Sequence, residues 1–324
     1  MIEVLESGLS TTVQDTGRYG HYHIGMPPAG AMDQYAHKVA NYLVANNEDA
    51  AILEITYAGP DLEFTEDTVI AVTGADMSPK VNGEPIDTWR TVQIESGDTL
   101  SFEFATEGVR SYLAVAGGID VPQIMESRST YTLIGIGGFE GRELEEGDQL
   151  PIGEANDGSE LVGSAIDDTY IPDYANNDTI KVVMGLCDYR LTEEGRDRFL
   201  GTEWTISDEA DRVGYRLEGE DIESMFEERE QPFGAGPDPT NVVDLGYPVG
   251  SIQMAGQPIV LMRDAVTGGG YATVGTVVST DRGMLAQVRT HRNITFEAVD
   301  VEDALEARTQ QTQTLKEIQD SLSE

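Results

Sequence analysis

At 324 residues the chain is long enough for about two domains, and it can bury a sizeable core without disulfide or metal staples. Twenty Lys and Arg against 59 Asp and Glu leave a formal charge of −39, a surface that repels phosphate backbones and acidic membrane faces and so argues against nucleic acid and membrane as partners. Hydrophobic residues make up 39% of the chain and alternate with the acids, which argues against global disorder.

Four of the cations are lysines (Lys38, Lys80, Lys181 and Lys316) and the rest are arginines. Acid excess with lysine depletion points to a halophilic protein in preference to an ordinary acidic cytosolic one, because in molar salt a Debye length of roughly 3 Å screens the mutual repulsion of carboxylates. Cys187 is the single cysteine, so neither an intramolecular disulfide nor a multi-thiolate metal site can form, and a buried structural thiol with no assigned role is expected. The N-terminus lacks a basic region followed by an apolar run, and no uncharged apolar stretch approaches membrane-spanning length. A cytoplasmic protein is expected.

In chain order, the first helix is predicted over about 34–46, capped by Asp33 and carrying Tyr35, Ala36, Val39, Ala40, Leu43 and Val44 as its apolar stripe. Short β-type runs follow at 68–72, 91–94, 100–104 and 112–116, separated by turn signals such as Asn82-Gly83 and Ser96-Gly97-Asp98. The stretch 143–180 is rich in acids and holds no Lys or Arg. Strand patterning returns at 180–184, 259–262, 273–278 and 294–299, and helical spacing of Ala304, Leu305, Leu315, Ile318 and Leu322 marks the tail, weakened by the Gln/Thr-rich residues 309–314. The expected organisation is mainly β with a few helices. It comprises an N-terminal β-rich lobe over 1–155, an acidic linker over 156–178, a second β-rich lobe over 179–300, and a C-terminal helix or tail over 301–324.

Several chemistries find no support. No Gly-Lys pair exists, so there is no P-loop, and Gly135, Gly137 and Gly141 miss the dinucleotide spacing by one position. No His-Glu-x-x-His occurs; if 21–23 were a strand, His21 and His23 would share a face and could join Asp15 or Asp33 around a metal, but a polar loop at a cleft edge gives the same pattern, and no metal is assigned.

Three segments stand out. The loop 12–33 packs Gln14, Asp15, Arg18 and His23 among glycines and prolines ahead of a helix, a frame for presenting polar groups. Gln253 lies in 250–258, and Asp264, Thr267, Gly268, Gly269, Gly270 and Tyr271 follow; successive glycines let a ligand approach the backbone and offer N–H groups to an oxyanion. Gly-rich hairpin turns of a barrel would look alike. Arg128, Ser129 and Thr130 could grip a carboxylate or phosphate, or lock the arginine against a core acid.

Together these segments resemble the family variously called the 5-oxoprolinase C-type component, the KipA type, allophanate hydrolase subunit 2 and biotin-dependent carboxyltransferase. The resemblance rests on Thr-Val-Gln-Asp-x-Gly-Arg-x-Gly at 12–20, Gly-x-Pro-x-x-Gly-Ala-Met-Asp at 25–33 and Ala-Asn-x-Leu-Val-x-Asn at 40–46. It extends through Leu53-Glu54, Gly59-Pro60, Ser-Arg-Ser-Thr at 127–130, Gly-Gly-Phe-x-Gly-Arg-x-Leu at 137–144, 250–253 and Thr-Gly-Gly-Gly-Tyr at 267–271. Ala272 stands where the family has proline, and Arg289-Thr290-His291 where it has Pro-Gly.

The resemblance implies two β-rich lobes, the C-terminal one a cyclophilin-like barrel. It implies a subunit that acts with a homologous B-type (KipI-type) subunit and an A-type subunit to couple hydrolysis of ATP, used with Mg, to opening of 5-oxoproline to glutamate. Activating the lactam by phosphorylating its carbonyl oxygen requires charge stabilisation. The glycines 268–270 with Arg128 or Arg18 are the expected source, and Asp264 and His23 the expected proton-transfer or orienting groups. Gln14, Asp15, Ser129, Thr130, Gln253, Thr267 and Tyr271 are expected to contact substrate or phosphate. The same fold also implies two alternatives, a KipA-type antagonist of a histidine-kinase inhibitor and a urea carboxyltransferase. Biotin belongs only to the last, and no lysine here follows methionine as a biotin-accepting lysine does.

Overall fold

The computed structural model describes residues 1–155, 162–176, 178–231 and 233–323. The chain divides into two compact units, Met1–Arg18 with Ala29–Ala175 and Thr312–Glu324, and Tyr19–Pro28 with Asn176–Gln311.

The first unit carries β1 (Ile2–Glu6), β2 (Ser10–Gln14), α1 (Gln34–Leu43), β3 (Ile52–Thr56), β4 (Asp61–Phe64), β5 (Thr68–Asp76), β6 (Lys80–Val81), β7 (Glu84–Pro85), β8 (Thr91–Ile94), β9 (Thr99–Ser101), β10 (Glu107–Val115) and β11 (Gln149–Leu150). Two sheets form, in the orders β11-β1-β4-β9-β6-β7 and β2-β3-β10-β5-β8. Ile2, Leu62, Phe64 and Leu100 from the first meet Val13, Leu53, Ile55 and Leu113 from the second in a common core. The opposite face of the five-stranded sheet presents Ile52, Ala71, Tyr112 and Ala114 to Val39, Ala40 and Leu43 of α1. β10 is thus buried on both faces, which explains its unbroken run of buried residues from Gly108 to Val115. Each fully buried Val or Leu here contributes about 1.5–3 kcal/mol.

Asp33 caps α1 as expected, its Oδ1 accepting from the Tyr35 and Ala36 N–H groups at 3.1 Å. The helix stops at Leu43, short of 46, because Ala45 turns to a φ of 54°. The run 100–104 yields only the short β9; Leu100 is buried and Phe102 packs against the same core, but Phe104 is 74% exposed, so the buried face stops at Phe102.

In the acidic stretch, 156–161 and 177 lie outside the described residues. The described part does more than connect: Ile166, Tyr170, Ile171 and Tyr174 pack against the α1 side of the first unit, an anchoring that its acidic composition masked.

The second unit contains β12 (Thr179–Met184), α2 (Glu193–Gly201), β13 (Trp204–Ile206), β14 (Gly214–Glu218), β15 (Asn241–Gly246), β16 (Ser251–Met254), β17 (Pro258–Leu261), β18 (Gly268–Tyr271), β19 (Thr273–Val277), α3 (Asp281–Ala286) and β20 (Asn293–Val299). Seven strands close into a barrel in the order β12-β19-β16-β17-β14-β13-β20, with the parallel pair β12 and β20 sealing it. β15 and β18 form a separate ribbon. The chain ends in α4 (Val301–Ser321), continuous through the Gln/Thr-rich residues; its Leu315 and Ile318 are buried in the first unit. Among the described residues no helix is long and apolar enough to cross a membrane.

Candidate functional site

Six of the expected residues converge in the first unit, where the segment 127–130 runs beside the end of β2. The Thr130 N–H and Oγ1 both donate to the Val13 carbonyl, at 3.0 and 2.9 Å. Asp15, the first residue beyond β2, gathers the surrounding donors: Oδ1 accepts from Ser127 Oγ at 2.7 Å, from the Gly17 N–H at 2.8 Å and from Ser129 Oγ, while Oδ2 accepts from the Arg128 N–H at 2.5 Å. Gln14 donates to Thr12 Oγ1 at 2.9 Å and to the Thr130 carbonyl at 3.2 Å, and its Oε1 accepts from the Gly30 N–H at 3.1 Å. Arg18 is buried and donates to the Ile124 and Ser129 carbonyls at 2.9 and 2.8 Å.

This web leaves no space for side chains at Gly137 and Gly138. Both have positive φ, and a Cβ would collide with the Ser129 carbonyl at the first and with Thr130 Oγ1 at the second. Of the six residues, Arg128 is the most accessible, 31% exposed, with Nε on the Val121 carbonyl at 2.8 Å and Nη2 3.4 Å from Asp120. It lines a cavity of about 210 Å³ together with Asp15, Gly17, Asn47, Gly117 and Gly118.

Behind Asp15 lies a buried polar layer. Tyr112, directly opposite Glu54 in the β3–β10 register, donates to Glu54 Oε2 at 2.8 Å, and the Met32 N–H donates to the same oxygen at 2.7 Å. His37 on α1 is fully buried, with the Gln14 main chain close to its ring. Burial drives its pKa down to about 4, and Asp15, the Gln14 main chain and Glu54 oppose that shift without reversing it.

The remaining expected residues lie in the second unit. Gly268–Tyr271 is strand β18, paired with β15 (Leu245 opposite Gly269, Gly246 opposite Gly268). The glycines make room for a ring: a Cβ on Gly269 would lie 2.9 Å from Tyr247 Cε2. The Tyr247 hydroxyl donates to the Tyr271 carbonyl and accepts from its N–H, both at 2.8 Å, and Gln253 also bonds it. The Tyr247 N–H donates to the Thr267 carbonyl at 2.8 Å. Asp264 is buried and held by Arg212 through Nε at 2.8 Å and Nη2 at 3.1 Å. Sequence reasoning passed over Tyr247 and Arg212, whose importance lies in partners 24 and 52 residues away.

His23 is exposed on a 3-10 turn, Tyr22–Ile24, with Nδ1 3.1 Å from the Gly20 carbonyl. The strand geometry that would align it with His21 is therefore absent. Asp33 is engaged at the α1 cap and by Tyr174, and among the described residues no three His, Cys, Asp or Glu side chains are placed to share a metal ion. Cys187 is buried just beyond β12, and burial pushes its thiol pKa up.

Similarity to known proteins extends over nearly the whole chain. The C-type component of the Escherichia coli K12 5-oxoprolinase is 35% identical over 319 residues, covering 98% of this chain and 97% of that protein. The urea amidolyase of Saccharomyces cerevisiae is 31% identical, with 98% of this chain matching 18% of that protein. The crystal structure of Kluyveromyces lactis urea carboxylase superposes with a TM-score of 0.89 at 31% identity, over 98% of this chain and 29% of that one. The model of the carboxyltransferase domain, subdomain A and B, matches residues 24–298, and the chain belongs to that family.

Proposed function

We propose that the chain is a subunit of an ATP-dependent 5-oxoprolinase complex, working with a B-type and an A-type subunit to hydrolyse 5-oxoproline to glutamate in the cytoplasm. The observation that carries this reading is the extent of the match: similarity to the C-type component of the E. coli 5-oxoprolinase runs over 97% of that protein, whereas the urea amidolyase is matched over 18% of its length. Urea carboxylation is the second reading, favoured by the superposition on K. lactis urea carboxylase.

Under the first reading, Arg128, which lines the 210 Å³ cavity together with Asp49, Asp120 and Glu126, is the cation available there to an anionic oxygen, with Asp15, Ser129 and Thr130 fixing its backbone. Gln14 and Arg18 hold the neighbouring main chain. In the second unit, Gly268 to Tyr271 with Gln253 and Thr267 form a substrate wall clasped by Tyr247, Asp264 positions Arg212, and the exposed His23 moves protons. The chain carries no phosphate loop of the Gly-Lys type. Biotin likewise finds no accepting Met-Lys pair. ATP use is therefore assigned to the assembled complex.

Co-expression with the A-type and B-type proteins, followed by assay of ATP-dependent glutamate release with each subunit omitted in turn, tests the reading. Release should vanish without this chain. A stable complex that releases no glutamate but carboxylates urea in the presence of a biotin carrier overturns it in favour of the second.

A further inference from the structure

The first unit holds a second cavity, of about 340 Å³, walled by Val121, Pro122, Ile124, Phe139 and Pro151, with main chain from Gly135, Gly137, Gly138 and Gly141 in its lining. Hydrogen bonds keep it open. The Val121 carbonyl accepts from Arg128 Nε at 2.8 Å and the Ile124 carbonyl from Arg18 Nε at 2.9 Å. The glycine loop is pinned as well, by the Gly138 N–H on the Arg128 carbonyl at 2.8 Å and the Gly141 N–H on the Gly137 carbonyl at 2.9 Å. A dry apolar cavity of about 150 Å³ already takes a benzene molecule, and 340 Å³ lies within the range of small-ligand pockets.

Ile124 is 39% exposed in that wall, and Leu133 and Ile134, on the turn leading into Gly135, are exposed too. On so acidic a chain, apolar side chains left in water next to one cavity mark a binding face. The charged residues of the lining are Asp120 and Glu140, and among the described residues no Lys, Arg or His lines it. Asp120 Oδ1 lies 3.4 Å from Arg128 Nη2, and Glu140 Oε2 lies 3.0 Å from Arg142 Nη2, while Arg142 also binds Asp148 through both Nη groups at 2.7 and 2.8 Å. The second oxygen of each of the two lining carboxylates accepts no hydrogen bond among the described residues. Apolar walls with free acceptors of one sign suit a ligand that is apolar at one end and cationic at the other.

We propose that this cavity binds a small molecule with a compact apolar body and a protonated amine head, the body against Val121, Ile124 and Phe139 and the head at Asp120 and Glu140. The site stands on this cavity, whatever reaction the assembled complex performs.

The test is NMR titration of the full chain in molar KCl, which screens the diffuse attraction of any cation to the acidic surface, following the amide shifts of Gly135, Gly137 and Gly138. Benzylamine, the probe, should shift them saturably. Methylamine, which lacks the apolar body, should not, and benzoate, which has the ring with the opposite charge, should bind at least about fivefold more weakly. Ile124→Lys sets a cation in the apolar wall and should reverse the order of benzylamine and benzoate. Glu140→Gln keeps the shape of the side chain and should weaken benzylamine about threefold. Circular dichroism melting checks the fold, and Glu140→Gln carries the test if Ile124→Lys does not fold. Shifts that fail to saturate, equal binding of methylamine or benzoate, or folded variants that bind benzylamine as wild type does overturn the proposal.

Discussion

His37 makes the stability of the first unit pH-dependent in a calculable way. In the fold its pKa lies at about 4, against an ordinary value of 6.5, because the ring is fully buried. Below 6.5 the unfolded chain binds a proton that the native ring does not accept until about pH 4, so stability rises with pH across that window. The contribution is complete above 6.5 and is lost at about 1.4 kcal/mol per unit as pH falls toward 4. Between pH 7.5 and 5 the linkage relation gives a loss of about 2 kcal/mol, roughly a thirtyfold change in the unfolding equilibrium. Urea unfolding of wild type and His37→Leu at pH 7.5, 6 and 5, in constant KCl, isolates this term from the many carboxylates, which titrate in both proteins. Wild type should lose about 2 kcal/mol more than the variant over that range. Parallel pH profiles, or a His37 imidazole that titrates near 6.5 by NMR, would refute the reasoning.

Three further outcomes are expected. Asp15→Asn keeps the shape of the side chain but turns an amide toward donors from Ser127, Ser129, Arg128 and Gly17; it should destabilise the first unit by about 3 kcal/mol in chemical unfolding. Gly269→Ala forces the buried Tyr247 ring away from β18, and an overpacking loss of about 1–3 kcal/mol should be accompanied by faster amide exchange at Tyr271, whose N–H the Tyr247 hydroxyl accepts. With 59 acids against 20 Lys and Arg, the melting temperature should fall as KCl is lowered from molar to dilute, and a temperature that stays constant would remove the halophilic reading.

Local chemistry made much of the architecture readable. Strand runs at 68–72, 91–94 and 294–299 declare themselves because β-branched residues flanked by turn formers have few other uses, and Asp33 announces α1 because only a short acceptor side chain satisfies the first-turn N–H groups. The motifs likewise identified the family, since residues spaced along nearly the whole chain must be kept in one order to build these lobes. What each motif residue does was decided by partners far away in sequence. Asp15 meets Ser127 to Ser129 across more than a hundred residues, and that encounter makes it a clasp for backbone N–H groups. Asp264 meets Arg212, and the three glycines at 268–270 become a strand because β15 lies beside them to complete their hydrogen bonds. The pairing of Arg263 with Tyr19 joins residues 244 apart, and no local pattern marks either one. Residue type and short-range spacing specify which elements form; which charges meet is a property of the closed barrel and the packed sheets, where burial makes each unmatched group costly enough to select its partner.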